Sequence, residues 1–172
     1  MSPRRVVRGV LYFTAFVLSL GFFGALLPRE HVSMETVELP APPEAVYAAL
    51  RDVASAPKWR TGLERIEPLP KRGDREVYRE HGSHGALTLE IVEDVPNKRF
   101  VTQVADIGLP FSGRWVFDLT PTESGGTRVL LAEIGDVPNP LIRFIVHYVR
   151  GYDSGIDQTA TDLKKHLGAA KS

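Results

Sequence analysis

The residue whose setting most invites chemistry is an acid. Glu133 follows Val129 and Leu131 at alternate positions of residues 127–135, a run with strand character. Alternate residues of a strand share one face, so this carboxylate shares a face with apolar side chains. Turned inward, it needs a partner or takes a raised pKa, and it can then hold a ligand's polar end or act as an acid. Where the strand end emerges into water just before Gly135, it is a plain surface group. Arg114 is a candidate partner from the neighbouring run, but alternation sets it on the face opposite Trp115. Arg79 and His81 share whichever face Val77 takes, and Tyr78 takes the other; the sequence leaves that register open.

The remaining polar candidates read as surface groups. Arg143, His147, Arg150, Ser154, Asp157, Thr161 and Lys164 recur in steps of 3 and 4, the spacing of one solvated helical face. Within it Arg143, His147 and Arg150 make a modest basic patch able to touch anionic headgroups. His81 and His84 flank Gly82 and Gly85 in a turn, but a metal site needs three or four converging ligands. No metal and no cofactor is therefore expected. The chain has no cysteine, which removes disulfides, thiolate sites and thiol nucleophiles. It carries no G-x-S-x-G elbow and no phosphate loop. With 21 basic and 21 acidic residues and no basic stripe, nucleic acid is not an expected partner.

The elements that must position these residues begin with an apolar segment. Residues 10–27 hold no charge. The uncharged span 9–28 covers about 30 Å as a helix, the thickness of a bilayer core. Arg4, Arg5 and Arg8 precede it, and only Arg29 stands close behind it. The positive-inside rule puts residues 1–8 in the cytoplasm and the residues beyond the apolar span on the outer side. Residues 9–28 are expected to be a single-pass transmembrane helix and 29–33 a linker. The alternative is a signal sequence cleaved near Ser19-Leu20-Gly21 and a secreted product, but the apolar run continues past that site.

Residues 34–168 read as one α+β domain. A short strand (34–39) ends at Pro40-Ala41-Pro42-Pro43, and the prolines pre-set a helix over 43–51. A helical turn over 55–59 comes next, then strands at 63–68, 75–81, 86–93, 99–105, 113–120 and 127–135. Short Gly-, Asn- and Pro-containing turns separate them, which favours antiparallel hairpins. Pro138-Asn139-Pro140 opens a long helix over 141–167. Its apolar side carries Ile145, Tyr148, Val149, Tyr152, Ile156, Ala160, Leu163 and Leu167. Gly151 and Gly155 weaken the middle by roughly 1 kcal/mol each, so a bend is expected there. A curved sheet of six to seven strands closed by this helix buries both apolar faces.

These pieces resemble the START-like helix-grip superfamily, the SRPBCC or polyketide cyclase/dehydrase-like proteins. The resemblance rests on Leu39-Pro40-Ala41-Pro42-Pro43-Glu44-Ala45-Val46-Tyr47 with Leu50, then Pro57-x-Trp59 and Gly113-x-Trp115-x-Phe117-x-Leu119. It continues through Gly125-Gly126-Thr127-x-Val129 and the terminal amphipathic helix. Pro138-Asn139-Pro140-Leu141 with Arg143-Phe144 looks like a less-characterised branch. An N-terminal anchor departs from the many soluble members. The resemblance implies a cavity between sheet and terminal helix for a lipid or other hydrophobic small molecule. Trp115, Phe117, Val129, Leu131, Tyr148, Tyr152 and Ile156 would line it, with Glu133 as the polar candidate and Arg79, His81 and Arg114 as weaker ones. Trp59 is expected in the core, closing one end of the sheet. The resemblance implies no reaction, because members of one fold do different things. The expected function is a membrane-anchored binding module. The alternatives are a cyclase/dehydratase-type enzyme and a protein-interaction module of an envelope complex; the sequence names no protein partner.

Overall fold

The computed structural model describes residues 3–83, 85–150 and 154–168; His84, Gly151 and Tyr152, all named above, lie outside them. Helix α1 (Pro3–Ala25) contains the apolar span. Strand β1 (Glu30–Leu39) comes after it, then helix α2 (Pro43–Arg51) and a 3-10 turn (Val53–Lys58). Six strands come next: β2 (Leu63–Arg72), β3 (Arg75–Gly82), β4 (Gly85–Val95), β5 (Arg99–Val104), β6 (Ser112–Pro121) and β7 (Thr127–Asp136). Helix α3 (Pro140–Ile145) runs into a π-helical turn (Val146–Arg150), and α4 (Ser154–Gly168) completes the described chain.

The seven strands form one antiparallel sheet in the order β1-β7-β6-β5-β4-β3-β2. The first strand returns to pair with the last, which is how the sheet places both of its termini at one edge. Register shifts between Leu63 and Arg65, Leu69 and Arg72, and Ile91 and Glu93 add local bends. The concave face carries Val37, Leu39, Tyr78, Leu89, Ile91, Phe100, Leu119, Val129 and Leu131, packed with Val46 and Leu50 of α2 and with α4. A smaller cluster of Val101, Val116 and Ala132 covers part of the convex face.

Two boundaries differ from the sequence reading. The expected linker 29–33 is mostly strand: β1 begins at Glu30, paired with Asp136, and His31 and Ser33 continue the inward alternation. Polar residues hid that alternation. Arg29 adds a two-pronged ion pair to Asp136, at 2.6 and 2.8 Å. The expected single helix over 141–167 is described as two helices with different partners. In α4, Ile156, Ala160, Leu163 and Leu167 are buried against the sheet, as their spacing predicts. In α3, which packs against the end of α1, the assignment is reversed.

That reversal centres on Arg143. Expected on a solvated face, it is only 7% exposed. Its guanidinium donates to the carbonyls of Val137 (3.0 Å), Pro138 (3.0 Å), Leu27 (2.8 Å) and Gly24 (3.4 Å). The last carbonyls of a helix lack partners within it, and a cation there also meets the negative end of the helix dipole. The helices approach so closely that a Cβ at Gly24 would collide with the Pro140 carbonyl oxygen. Ile145 and Tyr148, expected inside, are 47% and 63% exposed.

Candidate functional site

Side chains from β3 to β6 leave a cavity of about 100 Å³ beneath the 3-10 turn and α4. Its floor is Tyr78, Leu87, Leu89, Phe100, Thr102, Trp115 and Phe117; Leu50, Val53, Ala56 and Trp59 make the wall. Thr159 reaches in from α4. The residue types follow from the pleat: 78 and 80, 87 and 89, 100 and 102, and 115 and 117 are alternate positions facing one way. Trp59 stacks its ring on His166 at 5.5 Å, fixing the loop after the 3-10 turn against the end of α4.

Polar groups are few and gathered on one side. Arg60 donates to Glu80 at 2.5 Å, and both residues line the cavity. Tyr78 is two residues before Glu80 on the same strand face. Burial raises its phenol pKa above the ordinary value, and the negative charge of Glu80 adds to the rise. Tyr78 therefore stays protonated and is equipped to donate a hydrogen bond, not to act as a base. Just outside, Asp162 holds α4 against the Arg60 loop. It accepts from Thr61 N at 2.6 Å, Thr61 Oγ1 at 2.9 Å and Gln158 Nε2 at 2.9 Å.

The structure brings together some of the residues singled out in the sequence and separates others. Trp115 and Phe117 line the cavity. Leu131 and Ile156 border a smaller adjoining recess, and Val129 is fully enclosed in the core. Glu133 lies on the concave face, in register with Trp115 on one side and Ser33 on the other. It is half-buried near Gly155, away from the cavity lining. Arg79 and His81 face outward with Val77, because Tyr78 faces in. Arg79 donates to Thr88 Oγ1 at 3.1 Å, and His81 Nε2 lies 2.8 Å from Glu67 Oε2. Arg114 is exposed opposite Trp115, and Tyr148 packs its ring on Phe144 outside the cavity. His147 is exposed. Among the described residues no three His, Cys, Asp or Glu side chains converge to hold a metal.

The family model for polyketide cyclase / dehydrase and lipid transport proteins matches residues 30–168, from the first residue of β1 to the last of α4. The chain belongs to that family. The match begins after α1, so the apolar helix is an addition to the family's domain. Solved structures share the START-like helix-grip fold. A protein from Thermus thermophilus is 20% identical over 83% of this chain and 100% of its own, with a TM-score of 0.63. A START superfamily protein from Mycobacterium smegmatis is 16% identical over 80% of this chain and 97% of its own, at 0.61. Norcoclaurine synthase from Thalictrum flavum is 10% identical over 81% of this chain and 87% of its own, at 0.64. No curated protein matches the sequence.

The sequence reading missed the Arg60–Glu80 pair and the part played by the 3-10 turn. Glu80 carried a usable signal, because it shares a face with Tyr78. Arg60 carried none, since it stands in a loop without periodicity. The cavity lies against β3–β6, and no residue of β1 or β7 lines it.

Proposed function

We propose that this chain is a membrane-anchored binding protein for a hydrophobic small molecule or lipid, seated beneath the 3-10 turn and α4. The observation that carries this reading is the cavity: aromatic and aliphatic on its floor and walls, with polar groups confined to Arg60, Glu80, Tyr78 and two threonines. Binding sites are typically apolar with a few placed polar groups. A volume of about 100 Å³ takes one ring or a short acyl segment. A larger ligand leaves its remainder at the mouth, where Arg60 can meet an anionic or carbonyl end. The family supports binding and transport as well as cyclisation. In the cyclase reading Tyr78 supplies a hydrogen bond to a carbonyl and Glu80 a carboxylate.

Helix α1 supports the membrane part. The span Arg5–Ala25 is 21 residues long, and its large apolar side chains, Val10, Leu11, Phe13, Phe16, Leu18 and Phe22 among them, are bare of protein contacts that would bury them. Such a surface is at ease in hydrocarbon and costly in water. The arginines before it favour a cytoplasmic N-terminus and a domain on the outer side. Retention as an anchor is favoured over cleavage because the helix's last turn is fastened into the domain through Arg143.

The test uses purified full-length protein in detergent and a fluorescent naphthylamine probe, with organic extraction of co-purified lipid. Uptake or an extracted hydrophobic compound is expected. Thr159→Trp, which fills the mouth from α4, should lower uptake at least severalfold while leaving thermal unfolding unchanged. Absence of both uptake and extractable compound would sink the binding reading.

A further inference from the structure

We propose that the β5–β6 loop, residues 105–111, is a second membrane contact that dips into the headgroup region beside α1. The proposal rests on the reading of α1 as a transmembrane anchor and goes beyond it. The loop carries Ile107, Leu109 and Phe111, which are 96%, 37% and 40% exposed. No charge occurs from Ile107 to Gly113. An isoleucine held almost wholly in water gains nothing for the fold, and three apolar residues at one tip make a patch of the kind that marks a contact surface.

The sheet's register decides which surface. Ser112, the residue after the loop, pairs with Asp136, and Asp136 pairs with Glu30. Glu30 opens the strand that comes after α1. The loop therefore leaves the sheet edge at which α1 enters, two strand spacings or about 10 Å away. If α1 crosses the bilayer, this edge faces the headgroups. The turn at the opposite end of β6 and β7 is Thr122-Glu123-Ser124-Gly125-Gly126, polar and without a large apolar side chain. The two ends of one hairpin thus differ in the sense a membrane requires.

The base of the loop is fixed while its tip projects. Thr88 N donates to Asp106 Oδ2 at 2.6 Å, Ala105 N donates to the Thr88 carbonyl at 2.9 Å, and Arg72 donates to the Ala105 carbonyl at 2.9 Å. The exposed Arg114 begins the charged residues beyond the tip, suited to anionic headgroups. Beside α1, Ile145 and Tyr148 add exposed apolar surface next to the same helix end. The uncharged tip lies between Asp106, held by Thr88 N at the base, and the exposed Arg114, and an apolar tip beside a basic residue suits insertion to a depth of about 5–10 Å at the headgroup–acyl boundary.

The chain has no cysteine, so single cysteines can be labelled without removing others. Three full-length variants, Phe13→Cys, Ile107→Cys and Ser124→Cys, would carry a nitrobenzoxadiazole label in vesicles of phosphatidylcholine and phosphatidylglycerol. The expected result is a blue-shifted emission at positions 13 and 107. Position 107 should be quenched best by a lipid spin-labelled near its headgroup, and position 13 by one labelled deep in the chain. Position 124 should stay unquenched. If 107 behaves like 124 while 13 is quenched, the loop contact is wrong and the anchor stands. If 13 is itself unquenched, the anchor reading fails first. A blue shift at 107 without lipid quenching, lost on dilution of protein in the vesicles, would show a second copy covering the loop and would overturn the proposal.

Discussion

Residues 140–150 and 154–168 share one amphipathic pattern, yet the structure uses the two stretches in opposite senses. Helix α4 meets a sheet face of Val37, Val129 and Leu131 and buries its aliphatic residues there. Helix α3 meets the end of another helix and buries its arginine while leaving Ile145, and Tyr148 in the turn that follows, exposed. A sheet face offers apolar area, and removing that area from water contributes roughly 25 cal/mol per Å². A helix end offers unpaired carbonyls, and what it takes up is donors and positive charge. Periodicity tells which residues share a side; the neighbour tells which side is inside.

The largest effect is expected where apolar burial closes the fold. Leu163, on α4, is fully buried in the core between that helix and the sheet. Leu163→Ala should cost about 2–5 kcal/mol, the transfer term plus the cavity left behind, seen as a lower thermal midpoint of the whole domain. A loss below about 1 kcal/mol would mean that the site collapses freely and that α4 does not grip the sheet.

Next in size is the arginine at the other contact. Arg143→Met keeps much of the stem and removes every donor, leaving the carbonyls of Leu27, just after α1, and of Val137 and Pro138 to find other partners. Hydrogen bonds to a charged group are worth about 1.5–3 kcal/mol each and do not add fully, so a total of about 2–4 kcal/mol is expected. The distribution of the loss matters more than its size. Amide exchange should accelerate at the end of α1 and in α3, with β3–β6 unchanged. Equal acceleration across the sheet would show that the two contacts form one cooperative unit and dissolve the contrast. Combined with Leu163→Ala, the losses should add, because the sites share no partners.

The same contrast explains what was legible in the chain. Strand positions such as 113–120 and 127–135 were readable because alternation is local and survives in the sequence. The register of β3 was not, because Val77 and Tyr78 are each 5% exposed on opposite faces, and a pattern of period two has two equal phases. Arg143 was not readable because its partners Gly24 and Leu27 lie 119 and 116 residues away. The cavity's apolar floor followed from Trp115 and Phe117, whereas its Arg60–Glu80 side depends on where a loop folds back. Glu133 shares the strand face of Val129 and Leu131, as alternation indicates, but its nearness to Gly155 at the start of α4 is something no strand pattern could supply.

The smallest effect separates the junctions by pH. At the α1 edge, the hydrogen bond from Arg29 is the largest effect on Asp136 and lowers its pKa below the usual 3.8; desolvation opposes it, and the charge of Arg29 adds to the lowering. At the other end, the hydrogen bond from Arg51 is the largest effect on Glu76 and lowers it below 4.5; burial opposes it, and the charge of Arg51 adds to the lowering. A carboxylate depressed in the folded state contributes stability that is present above its unfolded pKa and is lost as pH falls through the folded value. Stability should therefore hold from neutral pH down to about 4.5 and decline below it. Arg143 donates to backbone carbonyls, which do not titrate in this range, so its contacts should outlast the Arg29–Asp136 pair in acid. Asp136→Asn should flatten part of the acid decline, read as the thermal midpoint against pH, and should leave exchange at α3 slow. If instead α3 opens together with the loss of the Asp136 charge, Arg143 depends on that ion pair, and the junction is one electrostatic unit rather than a capped helix end.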